Sequence, residues 1–209
     1  MAPSPEQGDP GPRPNPSAGT AAGPASGFRH VDDETIHRGF IVSTVKASFI
    51  DPDGNRFDRD VIRHPGAVAI VPMTHTDSVL LVHQFRPAVN RWLFEVPAGT
   101  RDVDGEPPET TAHRELAEEL GREAGRLDLL THCLNTPGFC DEVTTVFLAT
   151  DLHPVPTNRQ GLEEGFMSIE EMSVSRFDEL VDDGTIVDAV TILGVALARR
   201  RRRDFDRVE

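Results

Sequence analysis

Apolar residues in this chain are grouped in short, dense runs separated by polar turns, a pattern typical of β-strands. The two densest runs, residues 67–73 and 79–85, are rich in Val, Ile and Leu. Such runs are expected for strands that are covered on both faces. Four further runs predict strands at residues 93–96, 127–134, 143–149 and 166–172.

Helical periodicity is found in three later segments. A helix is predicted at 109–120, directly after Pro107 and Pro108, since proline is tolerated in a first helical turn. A second helix is predicted from Ser175 to Asp183, with Asp178 three positions after Ser175 as in a capping box and Gly184 as the residue that ends the helix. A last helix is predicted from about residue 188, with a buried side formed by Val190, Leu193, Val195 and Leu197. The pattern predicts an α/β fold with a mixed sheet and helices on its faces.

The N-terminal part differs in composition from the rest. Residues 1–27 are rich in Pro, Gly and Ala, so we expect a disordered tail. Residues 28–62 predict a β-hairpin with strands at 40–49 and 56–62. Two-stranded units are marginally stable alone, so the hairpin is expected to pack against another part of the molecule or another chain. Residues 63–209 form the remaining predicted domain.

Composition excludes several classes of function. A net charge of −14 argues against a nucleic-acid partner, which needs a basic surface. The arginine run 199–203 is interpreted as a solvated helix end in preference to a nucleic-acid patch. No apolar run of about 18 residues and no signal-peptide pattern occur, so neither a membrane span nor secretion is predicted. Only two cysteines, Cys133 and Cys140, suit a reducing cytoplasm.

The helix predicted at 109–120 carries an unusual cluster of acidic residues. Glu115 stands three residues before Glu118 and four before Glu119, so three carboxylates share one face. An ordinary amphipathic helix with a solvated acidic face is one explanation. The buried-looking strand and the Pro97-Ala98-Gly99 turn before it favour another, a hard divalent cation such as Mg²⁺ held by oxygen ligands.

This stretch resembles the Nudix box, which reads G, five residues, E, seven residues, REUxEExGU, with U a bulky apolar residue. The matching positions here are Gly99, Glu106, Arg114, Glu115, Leu116, Glu118, Glu119 and Gly121. Two positions depart from the pattern: six residues separate Gly99 from Glu106, and Arg122 replaces the last apolar residue. The resemblance implies a Nudix-type α/β/α sandwich over residues 63–200.

The resemblance also implies the metal site. Glu115 and Glu119 would be the main ligands of Mg²⁺, or alternatively Mn²⁺, with the carbonyl of Ala98, while Glu118 would complete the shell. Glu119 therefore counts both as a metal ligand and as a catalytic residue. Arg114 would orient the carboxylates. Glu106 would either bind metal or tie its loop to the helix.

Features outside the box resemble the members of the family that hydrolyse ADP-ribose. They are Pro137, fifteen residues past Arg122, the Gln84-Phe85-Arg86 segment, and the N-terminal strand hairpin, which in those enzymes builds a domain-swapped dimer. The resemblance implies substrate binding by Arg86, Pro137, Glu142 and Phe40. Arg86 would bind the diphosphate as a planar fork. Phe40 would stack on adenine across a homodimer, although a strand phenylalanine is more often plain core, and Pro137 could equally be only a turn residue.

The general base is expected outside the helix, because metal binding depresses the basicity of the helix carboxylates. His132 and His153 sit in no recognisable motif, whereas Glu163 and Glu164 stand on the loop where the resembling enzymes carry a catalytic glutamate. A solvated acidic loop is the alternative.

We therefore predict a Mg²⁺-dependent hydrolase that converts ADP-ribose, a small nucleotide, to AMP and ribose 5-phosphate. One alternative is that the substrate is another nucleoside diphosphate derivative, such as a nucleotide sugar. A second alternative is a sensor that binds ADP-ribose without hydrolysing it. Three crowded glutamates would serve no purpose in such a sensor.

Overall fold

The computed structural model describes residues 27–157 and 164–205. Three helices lie in this part of the chain: α1 (Pro108–Leu120), α2 (Phe177–Asp182) and α3 (Ala189–Phe205). The strands are β1 (Arg29–Arg38), β2 (Ser43–Ile50), β3 (Arg56–Arg63), β4 (Ala67–Pro72), β5 (Ser78–Arg86), β6 (Arg91–Glu95), β7 (Ala98–Thr100), β8 (Arg122–Leu134), β9 (Val143–Pro154) and β10 (Ser168–Ser173). None of the described helices is long and apolar enough to span a membrane.

Strand β4 lies at the centre of the C-terminal domain. It pairs in parallel with β9 and antiparallel with β7 in a four-stranded mixed sheet of order β7-β4-β9-β8. Side chains alternate across a strand. Val68 and Ile70 therefore pack in one apolar cluster with Leu116 of α1, and Ala69 and Val71 pack in another with α3. Helices α1 and α3 thus cover opposite faces, as the predicted α/β/α sandwich requires.

The predicted single sheet is divided into two. Strands β10, β5 and β6 form a separate antiparallel sheet, and β5 contributes alternate residues to the same two apolar clusters. The short strand β7 includes Ala98 and Gly99, for which the sequence predicted only a turn. It is bounded by Pro97 and carries the glycine of the box, so its three residues have no strand-like pattern of their own.

The N-terminal segment is a three-stranded meander, in the order β1-β2-β3. The predicted hairpin corresponds to β2 and β3, but β1 was missed, and Phe40 and Ile41 lie in the β1–β2 connection rather than in a strand. Strand β1 shows no apolar alternation and is almost entirely exposed. It is held by backbone pairing with β2 and by cross-strand ion pairs between Lys46 and Glu34, Arg56 and Asp32, and Arg63 and Asp33.

Several predicted boundaries were wrong. Strand β8 begins at residue 122 rather than 127, β9 ends at 154 rather than 149, and β10 begins at 168 rather than 166. The extensions of β8 and β9 pair with each other and contact the apolar core through Ala124 and Leu152. Because these extensions are mostly polar, their sequence does not predict a strand.

The later helices also correct the sequence analysis. Helix α2 begins at Phe177 after Arg176, and the hydroxyl of Ser175 contacts Ser173 instead of capping the helix. In α3 the predicted core residue Leu193 is exposed, while Val190 and Leu197 are only half-buried. The fully buried residues of α3 are Thr191, Gly194, Val195 and Ala198. Small residues at these positions let the helix approach the sheet closely.

The arginine run at the end of α3 contacts the chain's own polar groups. Arg199 pairs with Asp178, Arg202 with Asp77, and Arg201 donates to the carbonyl of Leu129. These contacts connect the end of the helix to three other elements of the domain.

Candidate active site

Helix α1 presents two carboxylates on its buried face. The helix ends at Gly121, whose φ of 61° is left-handed and suits glycine. Within it Glu115 and Glu119, four residues apart, lie on the same face as Ala112 and Leu116 and are 9% and 4% exposed. Ionised carboxylates are rarely buried unless they are paired or bind a metal.

Both carboxylates meet the backbone of β7. The amide of Ala98 donates to Oε2 of Glu119 at 3.3 Å. A Cβ atom added to Gly99 would stand 2.0 Å from Cδ of Glu115, so any larger residue would displace that side chain. Glycine at this position of the box is therefore required by the close approach of Glu115 to the strand.

Arg114 supplies the neighbouring positive charge. Its Nη1 atom lies 2.8 Å from Oε1 of Glu115 and 3.1 Å from Oε2 of Glu118. Burial by itself lowers the pKa of Arg114, but the surrounding carboxylates raise it above the ordinary arginine value. The contacts fit the predicted role of orienting carboxylates.

Glu106 stands between the box loop and the helix. Its Oε2 atom accepts a hydrogen bond from the hydroxyl of Thr111 at 2.7 Å and lies 3.7 Å from Nη2 of Arg114. Of the two alternatives for Glu106, these contacts favour the tie between loop and helix over metal ligation.

The donors around β7 fit a hard divalent cation. Glu115, Glu119 and the carbonyl of Ala98 offer only oxygen ligands, the type that Mg²⁺ and Mn²⁺ prefer. In the part of the chain that the structure describes, no group of three or more His, Cys, Asp or Glu side chains is close enough to hold an ion. Backbone carbonyl, water or substrate oxygens would thus complete the shell, and Glu118 would join only by leaving Arg114.

A cavity of about 180 Å³ adjoins β7 and is shared with the predicted diphosphate-binding residue. Ala98, Arg86, Glu142 and Asp188 are among its lining residues. The guanidinium of Arg86 is already paired within the protein, because its Nε atom lies 3.0 and 2.9 Å from the two carboxylate oxygens of Glu95. Burial by itself lowers the pKa of Arg86, and Glu95 more than offsets this, so the pKa is raised.

Glu95 was not recognised from the sequence. It is 5% exposed and also accepts a hydrogen bond from Nε2 of Gln84 at 3.0 Å. Strands β5 and β6 pair antiparallel, which places Glu95 on the same face as Gln84 and Arg86. The only indication of this role in the sequence is that Glu95 is a charged residue within the otherwise apolar run 93–96.

The remaining predicted substrate residues are not all brought together. Glu142 and Asn135 both line the cavity, and the side-chain amide of Asn135 donates a hydrogen bond to the Glu142 carboxylate at 3.2 Å. Pro137 instead lines a second cavity of about 430 Å³ against the N-terminal sheet. Phe40 is fully exposed. Of the predicted base pair, Glu163 lies outside the described residues, and for Glu164 only the backbone is described, in a short 3₁₀ turn.

The profile of the NUDIX domain matches residues 63–190, more than half of the chain. The chain belongs to the Nudix family. This confirms the resemblance inferred from the box, and the match covers α1, the Ala98–Gly99 strand and the cavity residues described above.

Two relatives of this Nudix protein are both named ADP-ribose pyrophosphatase. The ADP-ribose pyrophosphatase of Mycobacterium tuberculosis is 38% identical over 168 residues, which is 80% of this chain and 81% of the relative. The ADP-ribose pyrophosphatase of Bacillus subtilis is 35% identical over 162 residues, 78% of this chain and 87% of the relative.

The fold of this Nudix protein is also that of a solved structure. A crystal structure of an ADP compounds hydrolase superposes with a TM-score of 0.73 over 85% of this chain and 95% of the other, at 20% identity. The superposition confirms the predicted α/β fold.

Proposed function

We propose that this Nudix protein hydrolyses ADP-ribose to AMP and ribose 5-phosphate, using Mg²⁺ or Mn²⁺. One structural observation carries the proposal: strand β7 joins the buried pair Glu115 and Glu119 to a cavity that contains Arg86. A cation site next to a guanidinium is the arrangement that a diphosphate needs. The two relatives named as ADP-ribose pyrophosphatases support this choice of diphosphate.

Glu115, Glu119 and the carbonyl of Ala98 would hold the cation, which when bound polarises phosphoryl oxygens and offsets their charge. The protein carries a net charge of −14, so a dianionic substrate is repelled unless positive charge is concentrated locally. Arg86 provides a fixed part of this charge at the cavity. Because Glu95 already holds its guanidinium, little conformational entropy is lost when the diphosphate binds.

The substrate loop, residues 135–142, contributes to both cavities. Glu142 and Asn135 face the smaller one, and Pro137 lines the larger one with Phe49 and Phe57. The two phenylalanine rings stack at 5.5 Å, and such a surface suits the flat adenine ring of the substrate. Phe40 remains proposed as an adenine contact from a second subunit.

The N-terminal sheet supports a homodimer. Ile36, Phe40 and Ile41 are 60%, 111% and 56% exposed on β1 and the turn that follows it. Contiguous exposed apolar residues mark interaction sites in folded proteins. A second copy of the chain, with exchanged N-terminal sheets, would cover them.

We also propose a cytoplasmic location, since Cys133 and Cys140 are both free thiols.

Turnover with Mg²⁺ over a panel of diphosphate compounds tests the proposed substrate. We expect ADP-ribose to give AMP and ribose 5-phosphate in equal amounts, with a kcat/KM well above that for nucleotide sugars. A nucleotide sugar turned over with the higher kcat/KM would establish the first alternative. ADP-ribose that binds in calorimetry but stays intact with Mg²⁺ and Mn²⁺ would establish the sensor.

A further inference from the structure

The segment that leads from β6 into the first residue of β7, residues 96–98, is held by a hydrogen bond at each of its three positions. The carbonyl of Pro97 accepts from the amide of Ile70 in β4 at 2.9 Å. The amide of Ala98 donates to Glu119 at 3.3 Å. The amide of Val96 donates at 2.9 Å to the hydroxyl of Thr191, which lies on α3, ninety-five residues further along the chain.

Thr191 is a buried polar residue whose hydroxyl both donates and accepts a hydrogen bond. It is fully buried, and its hydroxyl donates to Oδ2 of Asp188 at 2.7 Å while accepting from Val96. The same Asp188 oxygen accepts the backbone amide of Thr191 at 2.8 Å, the geometry of a helix N-cap. The first turn of α3 is thereby locked, and the hydroxyl points to the segment with a fixed orientation.

We propose that Thr191, oriented by Asp188, is a positioning residue for the metal site: it sets the segment that places the Ala98 carbonyl beside Glu115 and Glu119. This inference rests on the metal site of the proposed function. The helix opposite α1 thus contributes to the metal site through its hydrogen bond to this segment. Groups that orient metal ligands through hydrogen bonds commonly change metal affinity about 10–100-fold when they are removed.

The physical reason is the cost of an unpaired buried amide. Val96 is 1% exposed, so its N–H cannot turn to water when the Thr191 hydroxyl is removed. The segment must then shift to find another acceptor, and the carbonyl two residues on moves with it. Valine has the shape of threonine without the hydroxyl, so Thr191→Val isolates the hydrogen bond from the packing.

Direct Mn²⁺ binding to the full-length, metal-free protein tests the proposal, with free Mn²⁺ measured by its electron paramagnetic resonance signal and no substrate present. Thr191→Val should weaken the Mn²⁺ affinity about 10-fold or more. Thr191→Ser retains the hydroxyl and should restore the affinity to within about 3-fold of the wild type. Mn²⁺ is used because its signal reports binding independently of turnover.

Thr145→Val provides the matched control. Thr145 is 4% exposed on β9, and its hydroxyl contacts Nδ1 of His132 on β8 at 3.2 Å rather than the segment of residues 96–98. This variant should lose thermal stability as Thr191→Val does, yet bind Mn²⁺ with unchanged affinity. A loss of affinity in both variants would show that general loosening of the fold is responsible, which would overturn the proposal.

Wild-type Mn²⁺ affinity in folded Thr191→Val would also overturn it. If that variant does not fold, Thr191→Ala decides, because it removes the same hydroxyl and keeps the carboxylate of Asp188 at the cavity: weakened Mn²⁺ binding supports the proposal, and unchanged binding rejects it. The test of the proposed substrate is independent of this one. If the wild-type protein binds Mn²⁺ but leaves ADP-ribose intact, the substrate assignment is wrong and the inference about Thr191 is unaffected.

Discussion

The C-terminal domain and the N-terminal sheet are stabilised in different ways. In the domain, strands β4 and β5 are buried on both faces, between two apolar clusters that α1 and α3 complete. In the N-terminal sheet only Val45, Ala47 and Ser48 are buried, and β1 is exposed along almost its whole length. Apolar burial, the main stabilising term in folding, is thus concentrated in the domain.

The N-terminal sheet compensates with polar contacts to the substrate loop. Ile62 of β3 exchanges backbone hydrogen bonds with the loop, donating to Phe139 at 2.7 Å and accepting from Asp141 at 3.2 Å. Arg63 joins Asp33 of β1 to Asp141 through its guanidinium. The domain thus contains the carboxylates that are proposed to bind the metal, while the N-terminal sheet contacts the loop that lines both cavities.

Removing residues 28–62 should have the largest effect. We expect the loss of dimer and activity together, because the substrate loop loses its support and the exposed apolar surface disappears. Sedimentation and turnover of ADP-ribose measure the two effects. Deleting residues 1–27 is the control and should leave both unchanged. A full-length protein that sediments as a monomer would contradict the exchanged-sheet dimer.

Glu119→Gln should lower kcat by orders of magnitude while the N-terminal sheet is unaffected. In metal-free buffer its Tm should be unchanged or higher, since one of the crowded carboxylates is neutralised. Glu109→Gln changes an exposed carboxylate in the same helix and should retain kcat. Near-normal turnover of Glu119→Gln would reject the metal-site assignment.

Substitutions of the predicted general base should give the next largest loss of activity. One of Glu163→Gln and Glu164→Gln should reduce kcat about 10²-fold or more with little change in KM, and the other should be mild. The pair is measured as single variants and as the double variant. Full kcat in all three would place the base elsewhere and leave the loop as a solvated acidic segment.

The smallest effect concerns the polar contacts of the N-terminal sheet. Burial by itself raises the pKa of Asp33, but hydrogen bonds from Arg63 and His30 outweigh this and lower it. A lowered folded-state pKa stabilises the protein above the unfolded-state pKa, and this stabilisation is lost as pH falls through the folded-state value. Asp33→Asn should therefore cost about 1 kcal/mol of unfolding free energy near pH 7 and less in acid.

Urea unfolding at neutral pH and below pH 4 measures this difference. Asp32→Asn provides the control, because Asp32 pairs with Arg56 at a site where its side chain is 60% exposed. It should change stability less than Asp33→Asn at neutral pH. Equal effects of Asp33→Asn at both pH values would show that Arg63 and His30 do not stabilise the ionised form of Asp33.

The acidic helix could be predicted because its determinants are local. The spacing of Glu115, Glu118 and Glu119 places them on one face whatever the rest of the fold is, and Gly121 ends the helix as expected. Strand β1 and the ends of β8 and β9 could not be predicted, because backbone pairing with a neighbour stabilises them and most of their side chains are polar or exposed. Leu193 was misplaced because α3 turns its small residues toward the sheet.

The family, the α/β class and the carboxylate helix could be inferred from the sequence, since they follow from patterns of residues a few positions apart. Three features became visible only in the folded molecule: which of the three glutamates are buried, the ion pair of Glu95 with Arg86, and the hydrogen bond from Val96 to Thr191 across the domain. Each of these contacts depends on strand register and helix rotation. Both are set by how the two apolar clusters pack as a whole, which no local pattern of residues encodes.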